Sequence, residues 1–467
     1  MNIPRIMLAA GASGSGKTLL TCGLLQVFVN RGQKTASFKC GPDYIDPMFH
    51  SRVIGAKSRN LDTFFTEPAV TRYLFQKNAA SMDIAVMEGV MGYYDGVGGT
   101  TTKASAYDLA RITKTPVLLI VNAKGMSVSL AAYIKGFLEY QQDSGICGVI
   151  FNQMSPMLYP RMKQLVEGEL PVRVLGYVPQ VEDCVIESRH LGLVLPHEIQ
   201  DLKGRLQKLA GILEQTLDVD GILALAQSAP RLPKETIEDK HPAFGFHLEE
   251  PVRIGVARDE AFCFLYEDNL RLLDKMGAKL VEFSPVHGEH LPEGLDGLLL
   301  YGGYPELLGH KLEEQEAMRT EIKELLEQGF PCLAECGGFL YLHEELENMD
   351  GSITKGVGYL PGRAYRTPKL SRFGYITLTS GNPVLGEDLG RIPAHEFHYF
   401  DSPNCGETFF AAKPSSSRTW RCMHGNRTQM IGFPHLYYFG NPAVPQAFLE
   451  RCREWRRKRK AEVETDD

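Results

Sequence analysis

Residues 11–18 read Gly11-Ala12-Ser13-Gly14-Ser15-Gly16-Lys17-Thr18 and fill every fixed position of G-x-x-x-x-G-K-[ST]. An apolar run, Ile6–Ala10, precedes them, and a helical pattern over Lys17–Asn30 follows. That context separates a phosphate loop from a glycine-rich turn that happens to match. The glycines let backbone N–H groups converge on phosphate oxygens, and the helix N-terminus adds positive potential. Gly11, Gly14, Ser15, Gly16, Lys17 and Thr18 are therefore the expected nucleotide-binding set. Lys17 is expected to reach the β/γ-phosphates and Thr18 to ligate Mg²⁺, with ATP as the nucleotide. Position 12 is Ala, so the second lysine of partition-type dimeric ATPases is missing.

Working outward, short apolar runs alternate with helical patterns over residues 1–228, which predicts βαβ units and a parallel sheet. Expected strands are Ile6–Ala10, Thr35–Lys39, Asp83–Glu88, Val117–Asn122, Gly148–Asn152 and Val174–Val178. Expected helices include Lys17–Asn30, Ala106–Thr113 and Val128–Gln141. Pro, Lys, Glu, Asp and His then dominate 229–250, which reads as a linker. A second alternating series fills 251–452: strands over Arg253–Ala257, Lys279–Phe283, Gly297–Tyr301 and Cys332–Glu335, helices over Phe262–Met276 and Lys311–Gln328, and a closing helix near Val444–Lys458. Residues 453–467 read as a solvated, charged helix end and tail.

The chain has 467 residues, enough for two or three domains. Apolar residues make up 43% and charged residues 23%, which excludes wholesale disorder. Fifty basic against 57 acidic side chains leave a net charge of −7, with no basic footprint for nucleic acid. No apolar run is long enough to span a bilayer, and no signal-peptide pattern opens the sequence. Ten cysteines without paired CxxC spacing fit reduced thiols, so the expected location is the cytoplasm.

Three acidic clusters fall where a magnesium–nucleotide site would want them. Asp43 and Asp46 follow the second strand, Glu88 ends the third in a Walker-B-like position, and Asp95 lies in the loop after it. A lone Asp is more often a turn or cap residue. Three clusters at the carboxyl edge of one parallel sheet, beside a phosphate loop, point to a ligand site. Asn152 ends the fifth strand and is either an adenine contact or a turn residue.

In the second series, Pro331-Cys332-Leu333-Ala334-Glu335-Cys336-Gly337-Gly338 puts Cys336 between an apolar strand and a Gly-Gly helix start. This is the pattern of a nucleophile elbow, and the helix N-terminus is expected to lower the thiol pKa. A thiolate needs a histidine base. His435 ends another apolar run, while His395 and His398 form a competing pair. The Gly302-Gly303-Tyr304-Pro305-Glu306 turn is expected to supply N–H groups to an oxyanion.

With these residues in hand, the chain resembles the cobyrinic acid a,c-diamide synthase family of glutamine-dependent amidotransferases, from the phosphate loop to about residue 450. The matching motifs are Gly41–Pro47, Glu88–Gly96, Arg189-His190-Leu191-Gly192-Leu193, Gly302–Leu307, Glu335–Gly338 and His395–His398. The resemblance implies a dethiobiotin synthetase-like P-loop domain of α/β class followed by a class I glutamine amidotransferase-like α/β domain. It implies Cys336 as the glutaminase nucleophile and His435 as its base, with His395 and His398 structural or in contact with substrate. Thr18, Asp43 and Glu88 become the metal set, and Asp43, Tyr44, Ile45 and Asp95 the substrate contacts. Two departures stand out: the elbow begins Ala334-Glu335 rather than Gly-x, and Tyr437 occupies the position where the usual triad has Glu. A Cys–His dyad without that carboxylate is expected, leaving open what orients the imidazole. The implied reaction is ATP-dependent amidation of the a and c acetates of cobyrinic acid, with ammonia from L-glutamine and an acyl phosphate intermediate. Hydrogenobyrinic acid or nickel sirohydrochlorin is the alternative substrate, and a non-catalytic nucleotide-gated binding module the remoter reading. Neither nucleic acid nor membrane is an expected partner; a homodimer is left open.

Overall fold

A computed structural model describes residues 2–181, 188–189, 192–193 and 201–466. The chain divides into two compact units, Met1–Ile237 and Glu238–Asp467.

The first unit is built on seven parallel strands: β1 (Arg5–Ala10), β2 (Thr35–Cys40), β3 (Lys57–Leu61), β4 (Ile84–Glu88), β5 (Val117–Asn122), β6 (Ile146–Asn152) and β7 (Arg173–Val178). Their order is β3-β2-β4-β1-β5-β6-β7. β1, β2 and β4 are buried along their whole length, as strands sandwiched between helices must be, so they read as unbroken apolar runs. The expected helices Lys17–Asn30 and Ala106–Thr113 form as read; Ser105 caps the second by accepting from the Asp108 N–H. The expected helix over Val128–Gln141 is shorter, Ser129–Glu139. β3 is an addition, because Lys-Ser-Arg-Asn-Leu shows no apolar alternation and pairs on one side only, with β2. Helices over Pro68–Ala79, Tyr159–Glu169, Leu202–Thr216 and Val219–Gln227 are also additions. Residues 229–237 pack onto this unit: buried Arg5 donates to Pro230 O, and Arg72 pairs with Glu235 at 2.6 Å.

The second unit holds a six-stranded sheet. Its parallel strands are β8 (Val252–Ala257), β9 (Ala278–Phe283), β10 (Gly297–Leu300), β11 (Cys332–Glu335) and β14 (Gln429–Gly432), in the order β9-β8-β10-β11-β14. The short β13 (His424–Gly425) adds to β14 antiparallel. A separate five-stranded antiparallel sheet contains β12 (Ile392–His398) and β15 (His435–Leu436). The expected helix over Phe262–Met276 is confined to Glu267–Lys275, and that over Lys311–Gln328 breaks at Gln315 into Gly309–Glu314 and Glu316–Glu327. The closing helix runs from Ala443 to Asp466, through the charged segment. Among the described residues, no helix is long and apolar enough to cross a membrane.

Candidate functional site

Strand register assembles the first site. Lys39 on β2 lies opposite Glu88 on β4, and Glu88 lies opposite Leu8 on β1, the strand that feeds the phosphate loop. Lys39 Nζ is 2.7 Å from Glu88 Oε1 and 2.5 Å from Asp46 Oδ2, all three side chains buried. Thr18 Oγ1 donates to Glu88 Oε1 at 2.6 Å and sits 3.2 Å from Asp46 Oδ2. Burial opposes charge on every member of this cluster. For Lys39 the neighbouring Asp46, Glu88 and Asp43 overcome it and hold the ammonium well above its usual range. For Glu88 burial is overcome by Lys39 and His50, so its carboxylate stays ionised, whereas burial and Asp43 push Asp46 up.

Asp43 is placed differently from the expectation. Its Oδ1 accepts from the Ile45 and Asp46 N–H groups, at 2.8 and 3.1 Å, and its Oδ2 stands 3.9 Å from Lys39. It caps the turn that carries Asp46, and the oxygens that converge on Thr18 are those of Asp46 and Glu88. Among the described residues no three His, Cys, Asp or Glu side chains form a ready metal cluster. A hydroxyl with two carboxylates gathered round an ammonium still fits Mg²⁺, which uses one or two carboxylates plus water and phosphate oxygens.

Gly14 and Gly16 adopt φ of 75° and 89°, where a side chain would be strained. Lys17 Nζ donates to Ala12 O and Met91 O, at 2.9 and 2.6 Å, tying the phosphate loop to the Glu88–Gly96 loop. Burial, then Lys39, lowers its pKa to about 8. Asp95 accepts from the Gly92 N–H at 3.0 Å and acts on the Lys17 charge, which puts it at this site. The Asn152 amide donates to Ser15 O at 3.0 Å and so braces the loop itself. Ile45 is buried and Tyr44 precedes it in the same short turn. His190 and Leu191 lie outside the described residues.

The second site forms where β11 ends. Cys336 has φ 45° and ψ −102°, the strained elbow the sequence suggests, and its N–H donates to Gly432 O at 2.9 Å. A Cβ added to Gly302 would stand 2.5 Å from His435 Cε1 and 3.4 Å from Cys336 Cβ. Only glycine fits against both Cys336 and the His435 ring there, which places this histidine near the cysteine. A Cβ on Gly337 would likewise meet Gly303 N at 2.9 Å, which sets the Gly302-Gly303 turn against the elbow. His395 stacks on His435 with centroids 4.8 Å apart, while His398 bonds Phe400 O at 2.6 Å and stacks on Phe433.

The expected lowering of the Cys336 thiol does not occur. The helix that follows is only Gly337–Tyr341, and burial, then Glu306, Glu335 and Glu396, push the thiol up. Burial also holds His435 down to about 3 and raises Glu306 and Glu396 to about 7. The sequence reading gave no role to two charged residues, Lys39 at the first site and Glu335 at the second, the latter noted only as part of the elbow motif. A lysine near the end of a fully buried strand and a glutamate beside a nucleophile are each costly unless paired, and that was the available signal. Glu335 Oε2 lies 3.6 Å from His435 Nδ1.

Residues 6–193 match the CobQ/CobB/MinD/ParA nucleotide binding domain, and residues 253–428 match the CobB/CobQ-like glutamine amidotransferase domain. The chain is 36% identical over 460 residues to a cobyrinate a,c-diamide synthase of Caldanaerobacter subterraneus subsp. tengcongensis, covering 97% of this chain and 100% of that one. It is 35% identical over 474 residues to the one of Priestia megaterium, covering 99% and 100%. To that of Thermoplasma volcanium it is 36% identical over 470 residues, covering 98% and 99%.

Proposed function

This chain belongs to the cobyrinate a,c-diamide synthase family, and from that premise we propose that it amidates the a and c acetate carboxylates of cobyrinic acid with ATP and glutamine. The observation that carries the proposal is one chain holding two chemically distinct sites: a phosphate loop beside paired buried charges, and a strained cysteine beside a histidine.

A carboxylate resists attack by ammonia, so it must first acquire a leaving group. The carboxylate oxygen attacks the γ-phosphorus of ATP, giving an acyl phosphate and ADP. Thr18, Asp46 and Glu88 would hold Mg²⁺, which neutralises phosphate charge when bound. Lys17 stabilises charge on the transferring phosphoryl group, and Asp95 helps to position the substrate. Tyr44 and Ile45, in the turn that carries Asp46, would contact the substrate. In the second unit the Cys336 sulfur attacks the glutamine amide carbon while His435 takes the thiol proton and returns it to the leaving ammonia. Water then hydrolyses the thioester to glutamate. The ammonia attacks the acyl carbon, phosphate leaves, and the amide remains.

Incubation with ATP, glutamine and each candidate macrocycle, read by product mass, tests the proposal. The expected result is a diamide of cobyrinic acid, with glutamate, ADP and phosphate released. Amidation of only hydrogenobyrinic acid or nickel sirohydrochlorin would reassign the substrate. Nucleotide binding without amidation of any of them would favour a binding module.

A further inference from the structure

No acidic side chain stands two residues after His435, where Tyr437 is found. The nearby carboxyl comes from the other direction along the chain. Glu335 is the last residue of β11, in register with Gly432 of β14, three residues before His435. Its Oε2 lies 3.6 Å from His435 Nδ1, both side chains are buried, and the Leu436 N–H donates to the same carboxyl. The carboxyl is thereby fixed by the residue after the histidine and faces the ring.

We infer that Glu335 is the positioning residue of His435: it accepts the Nδ1 proton, selects the Nδ1–H tautomer and leaves Nε2 to take the proton of the Cys336 thiol. The 3.6 Å spacing is an ion-pair distance, longer than a hydrogen bond. Such contacts are commonly long before substrate binds and tighten afterwards. The stacked His395 offers the ring a second imidazole and no negative charge. Glu306 and Glu396 act on the Cys336 thiol, and neither forms an ion pair with His435 among the described contacts. A carboxyl is an expensive packing group at so buried a strand end, and imidazolium formation at His435 is the event that makes it favourable.

The inference rests on the proposed roles of Cys336 and His435. The test uses the full chain and measures glutamine hydrolysis beside amidation driven by ammonium. Glu335→Gln should lower kcat for glutamine by about 10²-fold, with KM changed less than about twofold and ammonium-driven amidation intact. The amide can turn its NH₂ to the ring and impose the opposite tautomer. Glu335→Asp, which keeps the carboxyl group, should recover part of that loss. Independently of any change at 335, spectra of ¹⁵N-histidine-labelled unmodified protein, with His435 assigned by the signals lost in His435→Gln, should show a protonated Nδ1 and a bare Nε2. A bare Nδ1 there, or full glutamine kcat in a Glu335→Gln protein that unfolds cooperatively, overturns the inference. If Cys336→Ser still uses glutamine, the underlying assignment fails instead; if only Glu335→Gln is unaffected, the assignment stands and this inference alone falls.

Discussion

At the phosphate loop, buried Lys39 and Glu88 hold paired charges, with Asp46 bonded to the same ammonium; around Cys336, the buried His395 and His435 are held uncharged and the thiol is held protonated. The contrast follows from the chemistry asked of each place. Phosphoryl transfer handles charge that exists before, during and after the step, so fixed cations and carboxylates suit it throughout. Glutamine hydrolysis creates charge only in transit, so a site that keeps its groups neutral until substrate arrives avoids a standing desolvation cost. The first site is built for permanent charge, the second for transient charge.

The largest effect should come from Lys17→Ala. It removes charge stabilisation at the transferring phosphoryl group, and amidation should fall at least about 10³-fold with either nitrogen source. Near-normal turnover with ammonium would break the contrast at its first half.

Lys39→Met probes the same site through stability. Removing the ammonium leaves Asp46 and Glu88 facing each other in a buried place, which should cost about 3–5 kcal/mol in urea unfolding. Magnesium should restore more stability to the variant than it adds to the unmodified protein. An unchanged midpoint would show that the pairing contributes little. Asp46→Asn should disturb the magnesium dependence of amidation more than Asp43→Asn, because Asp46 reaches Thr18 while Asp43 spends one oxygen on backbone N–H groups. Equal effects would restore Asp43 to the metal set.

These two predictions turn on residues whose roles were only partly legible. The phosphate loop, both helices beside it and the Cys336 elbow could be read because glycine, capping residues and apolar runs act locally. β3 escaped because an edge strand tolerates a polar sequence. The Lys39–Glu88 and Glu335–His435 pairs escaped for a different reason: both are made by sheet register, which joins residues 49 and 100 positions apart. The Cys336 shift runs opposite to the expectation because burial, set by the packing of the whole unit, dominates it, and the carboxyls of Glu306, Glu335 and Glu396 add to it.

The smallest effect concerns that thiol at rest. Burial, then Glu306, Glu335 and Glu396, hold it above its ordinary value, so the reactive thiolate is scarce at neutral pH and grows as pH rises. Alkylation of Cys336 by iodoacetamide should be slow at neutral pH and still climbing above the ordinary thiol range. A rate that has levelled off by neutral pH would mean the resting site is charged, and the contrast would collapse.

The most direct test of two separable sites is the nitrogen-source preference of Cys336→Ser, read as amide product by mass. The account predicts no product from glutamine and an undiminished yield from high ammonium, because carboxylate activation needs only the first unit. His435→Ala should match that pattern, whereas His395→Ala should impair both sources or neither. Normal glutamine use by Cys336→Ser, or equal loss with both nitrogen sources, would contradict it.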